Sequence, residues 1–274
     1  MSTRRTGTFK RVTSLSNPLV KDLRGLHQKK FRDASGTFLA EGLKLVAEAR
    51  EAGWQPKTFA YAGKIADHAL VQKLAAATKA GGGLVLEVSE EVLSKIARRD
   101  NPQMAVGVFE QAWTPLSNVG ADPASLWVGL DRIRDPGNLG TILRTVDAVG
   151  AAGVVLVGQC CDPWSIEAVR ATMGSVFHTK LARADEEAFL GWRAGWPGRL
   201  IGTHLKGAVD FRTIDYSGPV MILMGNEQAG LPDRLAEACD ALARIPQVGR
   251  ADSLNLAMAT VLMLYEARRD ALAL

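Results

Sequence analysis

With 274 residues, 47% of them hydrophobic and 23% charged, the chain can bury one large core or two ordinary ones. The net charge of +4 hides an imbalance, because residues 1–32 hold nine basic side chains against the single acid Asp22 and leave −4 on the remainder. The longest apolar stretch, Leu254 to Tyr265, is broken by Asn255 and Thr260 and too short for a bilayer, and the start MSTRRTGTFKR lacks a signal peptide's apolar centre; a cytoplasmic protein without a membrane span is expected.

The basic first segment suits either a solvated tail or contact with a polyanion, since neutralising phosphates dominates nucleic-acid affinity. Asn17-Pro18 opens a helical pattern running to Lys29, with Leu19, Leu23 and Leu26 on one face. A second helix is expected from about Ala40 to Ala52, closed by Gly53. Strands follow at Thr58–Tyr61, Leu84–Val88 and Met104–Phe109, with helices at about Asp67–Lys79 and Glu90–Ala97 between them. Residues 1–110 therefore read as a small α/β domain. Gln111 to Ala124, with Pro115, Ser117, Asn118, Gly120 and Pro123, reads as a linker.

From Ser125 to the end of the chain the strands become short and wholly apolar: Leu126–Leu130, Val154–Val157, Leu200–Gly202 and Val220–Met224. Alternating with helices at Leu139–Val149, Ser165–Ala171, Glu186–Trp192, Pro232–Ala238 and Leu254–Arg268, they predict a parallel sheet covered on both faces. The fold class is α/β. Cys160, Cys161 and Cys239 form no CxxC pair and read as reduced thiols. His27, His68, His178 and His204 show no metal-ligand spacing, so no metal is expected.

Three blocks carry chemistry. The first, LDRIRDPGNLGTILRTVDAVGAAGVVLV (130–157), places a Pro/Gly-rich turn between strand and helix without a GxGxxG or Walker pattern. Taken alone, Asn138 reads as a helix N-cap and Arg144 as a partner for Asp147. The second, VMILMGNEQAGL (220–231), runs a buried strand into Gly225, which would let a ligand approach the backbone, and Glu227. A strand, a turn and a solvated glutamate would explain it equally well. In the third, ARIPQVGRADSLNLAMATVLMLYEARR (243–269), Ile245-Pro246 closes a strand and Asp252 or Ser253 is expected to cap an apolar helix. Asn255, in that helix's first turn, needs polar partners, structural or substrate.

In order and spacing these blocks resemble the SpoU/TrmH family of RNA 2′-O-ribose methyltransferases, within the SPOUT superfamily: N-x-G-T-x-x-R-T, then G-N-E-x-x-G-L, then I-P…S-L-N. Residues 11–109, headed by SLSNPLVKDLRGLHQKKFRDASGTFLAEGLKLVAEA, resemble the family's L30e-like substrate-binding domain. The resemblance implies a deep trefoil knot over roughly 220–265, an exception to the usual absence of knots. It implies S-adenosylmethionine held by Gly225, Ile245 and Leu254, with Leu223, Met224 and Pro246 beside them. It implies a homodimer whose site is completed across the interface. Arg144 would act on the ribose 2′-hydroxyl, by phosphate binding and alkoxide stabilisation rather than by losing a proton it essentially never releases. Asn138, Glu227, Ser253 and Asn255 would orient ribose, arginine and cofactor loops, with Asp252 a weaker candidate. Ribosomal RNA is the expected substrate; transfer RNA, base methylation and a non-catalytic RNA-binding role are the alternatives.

Overall fold

The computed structural model describes residues 6–98, 103–205, 209–250 and 252–272; Arg4 and Arg5 of the basic segment lie outside them. In chain order the elements are β1 (Thr8–Val12), α1 (Pro18–Gly25), α2 (Lys29–Ser35), β2 (Thr37–Glu41), α3 (Leu43–Glu51), β3 (Thr58–Ala62), α4 (Ala69–Ala80), β4 (Leu84–Val88), α5 (Glu90–Ala97) and β5 (Ala105–Glu110). Then come β6 (Leu126–Asp131), α6 (Pro136–Ala148), β7 (Gly153–Val157), α7 (Ile166–Ala171), β8 (Lys180–Ala184), α8 (Glu186–Arg193), β9 (Arg199–Thr203), β10 (Val209–Asp210), β11 (Val220–Met224), α9 (Asp233–Glu237), β12 (Ala241–Arg244) and α10 (Leu256–Ala267).

Two compact units form. The first takes the described residues up to Gln111 together with Asp162–Phe177, a stretch that the sequence assigns by position to the second domain. Its five-stranded mixed sheet has the order β1-β4-β3-β5-β2, parallel at β1-β4-β3 and antiparallel at β3-β5-β2. Strand alternation sends Ala60, Leu86, Val88, Val106 and Val108 into one core with Val20 and Leu23 of α1 and Val92, Leu93 and Ile96 of α5.

The opposite parity gathers aromatic rings. Phe38 lies 4.6 Å from Trp164 and 6.0 Å from Phe109, and Trp54 donates its indole N–H to the Phe177 carbonyl at 2.9 Å. Trp164 and Phe177 belong to the later segment, which explains its place in this unit. Two buried ion pairs join it as well. Arg32, 4% exposed at its side chain, contacts Asp162 at 2.6 Å, and Arg170 bonds the buried Glu41 carboxylate.

Three sequence expectations change here. The helix expected through Lys29 is two helices, separated at Leu26–Gln28, where Gly25 weakens helix continuation and His27 turns its ring to the Ile96 carbonyl. Ala40 and Glu41 belong to β2, and α3 starts only after Gly42, whose φ of 121° a side chain would resist. The basic strand β1 carries too little apolar pattern to be recognised, with four of its five residues exposed.

The second unit holds residues 112–161 and the described residues from His178 onward. Its seven strands are all parallel, in the order β10-β12-β9-β11-β6-β7-β8. β6, β7 and β11 are buried along their whole length, as their continuous apolar sequences require. From β6 the chain moves outward through β7 to β8, then crosses to build β9, β10, β11 and β12 on the other side. The adjacent β6 and β11 thus flank a topological switch point, where open parallel sheets receive ligands beyond their strands' carboxyl ends. Part of the expected linker is built in: Val119 is buried in this unit's core, and Thr114 N–H donates to the Leu181 carbonyl at 2.7 Å.

Two outcomes are expected. Asp162→Ala strands the Arg32 guanidinium in the interior and should cost about 3–5 kcal/mol in urea unfolding, the usual loss when one partner of a buried pair goes. Burial lowers the His27 pKa from its ordinary 6.5 despite its 2.6 Å contact with the Ile96 carbonyl. The unfolded chain then binds a proton that the folded chain refuses, so stability should fall as pH drops below 6.5 until the lower folded value is passed. His27→Gln should flatten that part of the urea-midpoint profile.

Candidate active site

The three sequence blocks meet at one edge of the second unit. β6 ends at the buried Asp131, and Arg132 follows with φ 46° in the left-handed region. Its guanidinium folds back onto the Asp131 carboxylate, with nitrogen–oxygen distances of 3.0 and 3.2 Å. Burial raises the Asp131 pKa, and Arg132 opposes that rise. Asp135 then caps α6, accepting the Asn138 N–H at 2.6 Å, with Pro136 in the first turn. Asn138 is therefore not the cap. It sits three residues into the helix, which frees its amide.

That amide joins the blocks. Asn138 Nδ2 donates to Glu227 Oε1 at 3.4 Å, and its Oδ1 accepts from Asn255 Nδ2 at 3.1 Å. Asn255 is the N-cap of α10, its Oδ1 accepting the N–H groups of Ala257 and Met258 at 2.9 and 3.2 Å. Asp252 and Ser253 do not cap the helix, which begins later than expected. Ser253 is exposed and makes no hydrogen bond among the described residues.

Glu227 stands on a loop held by a residue that the sequence alone did not single out. Asn226 Nδ2 donates to the Arg132 carbonyl at 2.7 Å, while its Oδ1 accepts the N–H groups of Gln228 and Ala229 at 3.0 and 3.2 Å. Its backbone exchanges reciprocal bonds with Gly230 at 3.0 and 2.9 Å. The signal was present in G-N-E-x-x-G, since asparagine commonly closes such turns on its own backbone. Its partner lies 94 residues earlier, however. Gly225 serves the same loop. A Cβ there would lie 2.3 Å from the backbone of Gly230 and Leu231, so the close approach it permits is by its own chain rather than by a ligand.

Leu223 and Met224 are buried at the end of β11, Ile245 is half-buried just past β12, and Pro246 and Leu254 are exposed. Because β12 and β11 lie on either side of β9, all of these positions fall at one end of the parallel sheet. Arg144 is not part of the network. It is exposed on α6, about 9 Å along the axis from Asn138 by helical rise. Among the described residues it forms no ion pair with Asp147 or any other acid.

The thiols offer no ready nucleophile. Burial pushes Cys160, at the end of β7, up to about 11 and Cys239 up to about 12. Among the described residues no group of three or more His, Cys, Asp or Glu side chains is placed to hold a metal ion. No described helix is long and apolar enough to cross a membrane.

Residues 125–265 match the model of the SpoU rRNA methylase family, just over half of the chain. The chain belongs to that family. Residues 17–107 match a second model, the MRM3-like substrate binding domain. Among solved structures, the AdoMet-bound rRNA methyltransferase from Sinorhizobium meliloti is 58% identical, with a TM-score of 0.92 over 97% of this chain and all of that one. The 23S rRNA (guanosine(2553)-2′-O)-methyltransferase RlmP of Bacillus subtilis is 30% identical over 95% of this chain and 100% of its own. The 23S rRNA (uridine(2479)-2′-O)-methyltransferase of Streptomyces viridochromogenes is 30% identical over 97% and 94%.

The Asn226 geometry makes a direct expectation for this SpoU member. Asn226→Ala should release the loop, raising amide hydrogen exchange at Gln228 and Ala229 by about tenfold, the equivalent of one net hydrogen bond. Exchange in β6 and β11 should be unchanged.

Proposed function

We propose that this chain is an S-adenosylmethionine-dependent RNA 2′-O-ribose methyltransferase acting on ribosomal RNA. The carrying observation is the Asn255–Asn138–Glu227 chain of side-chain contacts, which ties all three family blocks together at the switch point of a parallel sheet. The AdoMet-bound Sinorhizobium relative and the two 2′-O-methyltransferases of 23S rRNA support cofactor, reaction and substrate class.

The residues present suit the cofactor. Ile245, Pro246 and Leu254 offer apolar surface for an adenine ring, with the buried Leu223 and Met224 fixing the strand end behind them. Backbone groups after β11 and β12, with Gly225 in the first of those loops, offer donors and acceptors for its edges. When bound, S-adenosylmethionine supplies an activated methyl group. The protein's work is then to align the 2′-oxygen and manage its proton. Asn138, Asn255 and Glu227 orient the ribose and the loops. Ser253, exposed and uncommitted, turns toward substrate. Arg144 holds the adjacent phosphate and stabilises charge developing on the 2′-oxygen, since a guanidinium does not act as a base.

Arg144 stands apart from the other site residues within one copy of the chain, so the reading includes a homodimer that completes the site. α10 supports it with a solvent-facing apolar stripe, Met258, Leu262 and Tyr265, each 42–50% exposed at helical spacing. The trefoil knot belongs to the same reading. β12 lies beyond β9 from β11, yet α10 returns to pack on α6 and β11. A cytoplasmic location goes with a ribosomal RNA substrate.

Incubation with labelled S-adenosylmethionine and either 23S rRNA or total tRNA tests the reading. Label should enter rRNA as an alkali-resistant dinucleotide. Label in tRNA alone, or in a base, would overturn the substrate or the target atom. Arg144→Ala should abolish transfer, by a factor of at least about a hundred for a lost charge-stabilising donor, with cofactor affinity by calorimetry unchanged.

A further inference from the structure

The first unit contains a cleft of about 680 Å³ that neither its fold nor the active site uses. Its floor is the face of the sheet that carries Leu86 and Val108, and Leu23 and Leu26 of α1 and its following turn form one wall. Farther along this face α1 and α5 fill the space, but near Thr58 and Leu84, where β3 and β4 begin, no helix among the described residues covers it. Leu19 and Leu84 are left only partly buried as a result. The break between α1 and α2 brings Phe31 to the mouth. The residue is 45% exposed, and its ring packs against Gly25, with a glycine Cβ position 3.5 Å from it.

The charge around the mouth is one-sided. Asp22 is the only acid lining the cleft among the described residues, and Lys57 is engaged by Glu110 at 2.6 Å. Lys21 on the rim, and Arg24 and Lys30 on the same two helices, are exposed and form no ion pair with described residues. Lys30 Nζ lies over the Phe31 ring, 4.9 Å from its centroid, so a flexible cation covers the aromatic face that an incoming base would take as the ammonium moves to a phosphate. The Thr58 hydroxyl, facing the cleft, makes no hydrogen bond among the described residues. An apolar slot with an aromatic edge, one unused hydroxyl and an unpaired basic rim matches one chemistry, a flat heterocycle attached to phosphates.

We propose that this cleft receives one unstacked nucleobase of the RNA substrate, stacked on Phe31, with its flanking phosphates on Lys21, Arg24 and Lys30. This rests on the chain's being an RNA-modifying enzyme and names where that RNA is gripped. All lining residues but Val108 fall inside the substrate-binding match at 17–107. Stacking tolerates any base, while the cleft's walls require that the base be pulled out of a helix. The cleft therefore selects bulged or looped RNA over a continuous duplex.

The test uses the full chain and 23S rRNA transcribed with 4-thiouridine, read by filter binding across a salt series and by photo-crosslinking. Phe31→Ala should weaken binding about tenfold without changing the salt dependence, because stacking releases no counterions. Phe31→Trp should restore it. Ala34→Trp, which fills the mouth from the exposed side of α2, should weaken binding as Phe31→Ala does. Lys21→Ala should lower the salt slope by about one. Crosslinks should map to the cleft lining, within residues 19–37 or at Lys57, Thr58, Leu84, Leu86 or Val108. Binding within twofold of wild type for both Phe31→Ala and Ala34→Trp overturns the proposal, as do crosslinks confined to other segments. A change in sedimentation of Ala34→Trp with RNA affinity intact would overturn it in favour of a second protein chain as occupant. RNA binding is read here without methyl transfer, so a wild-type chain that binds through the cleft yet transfers no methyl group fails only the enzymatic reading.

Discussion

The amide of Asn138 is the contact on which the second unit's working edge depends. An amide has one face that gives and one that receives, and here each is assigned: Nδ2 to Glu227, Oδ1 from Asn255. Aspartate would lose the donor, and leucine both functions. The assignment is possible only because Asp135 takes over the capping of α6 and releases Asn138 from that duty. Asn226, beside Glu227, repeats the logic, with its donor on the Arg132 carbonyl just past β6 and its acceptor on its own turn. Three loops that are distant in sequence are thereby joined by polar side chains of defined geometry.

Much of this was legible in the chain. Strands buried on both faces advertise themselves as unbroken apolar runs, and β4, β11 and α5 appear at the residues expected. The sequence blocks also meet at one edge as their order suggests. What escaped shares a physical cause, dependence on partners far away. β1 is an edge strand with an exposed, basic face, so it has no apolar alternation to display. The last two residues of β2, Ala40 and Glu41, fall within the expected helix because they suit either state, and pairing with β5 decides between them. Each displaced cap, Asp135 for Asn138 and Asn255 for Ser253, shifts by two or three residues, within the ambiguity of several neighbouring cap-forming side chains. Arg144 looked like a partner for Asp147, yet no such pair forms and its guanidinium stays exposed.

Buried charge in the first unit follows a different rule. Arg32 with Asp162 takes a cation and an anion out of water, Arg170 with Glu41 buries the carboxylate under a partly exposed guanidinium, and buried pairs seldom stabilise more than an apolar replacement would. Their value is directional. A guanidinium fork accepts a carboxylate in few orientations, so each pair admits one placement of the segment Asp162–Phe177 against α2 and β2. The surrounding rings of Phe38, Trp54 and Trp164 supply attraction without that discrimination.

That segment also bears on how such a protein can be inherited. Its two units are interleaved along the gene: no single cut in the chain yields the first unit whole, because α7 and Trp164 are encoded inside the span that builds the second. Recombination that exchanged only the amino-terminal half between relatives would unite an Arg32 and a Phe38 from one lineage with an Asp162 and a Trp164 from another. The first unit is consequently not a free module: exchanging it whole requires two separate stretches of the chain to travel together.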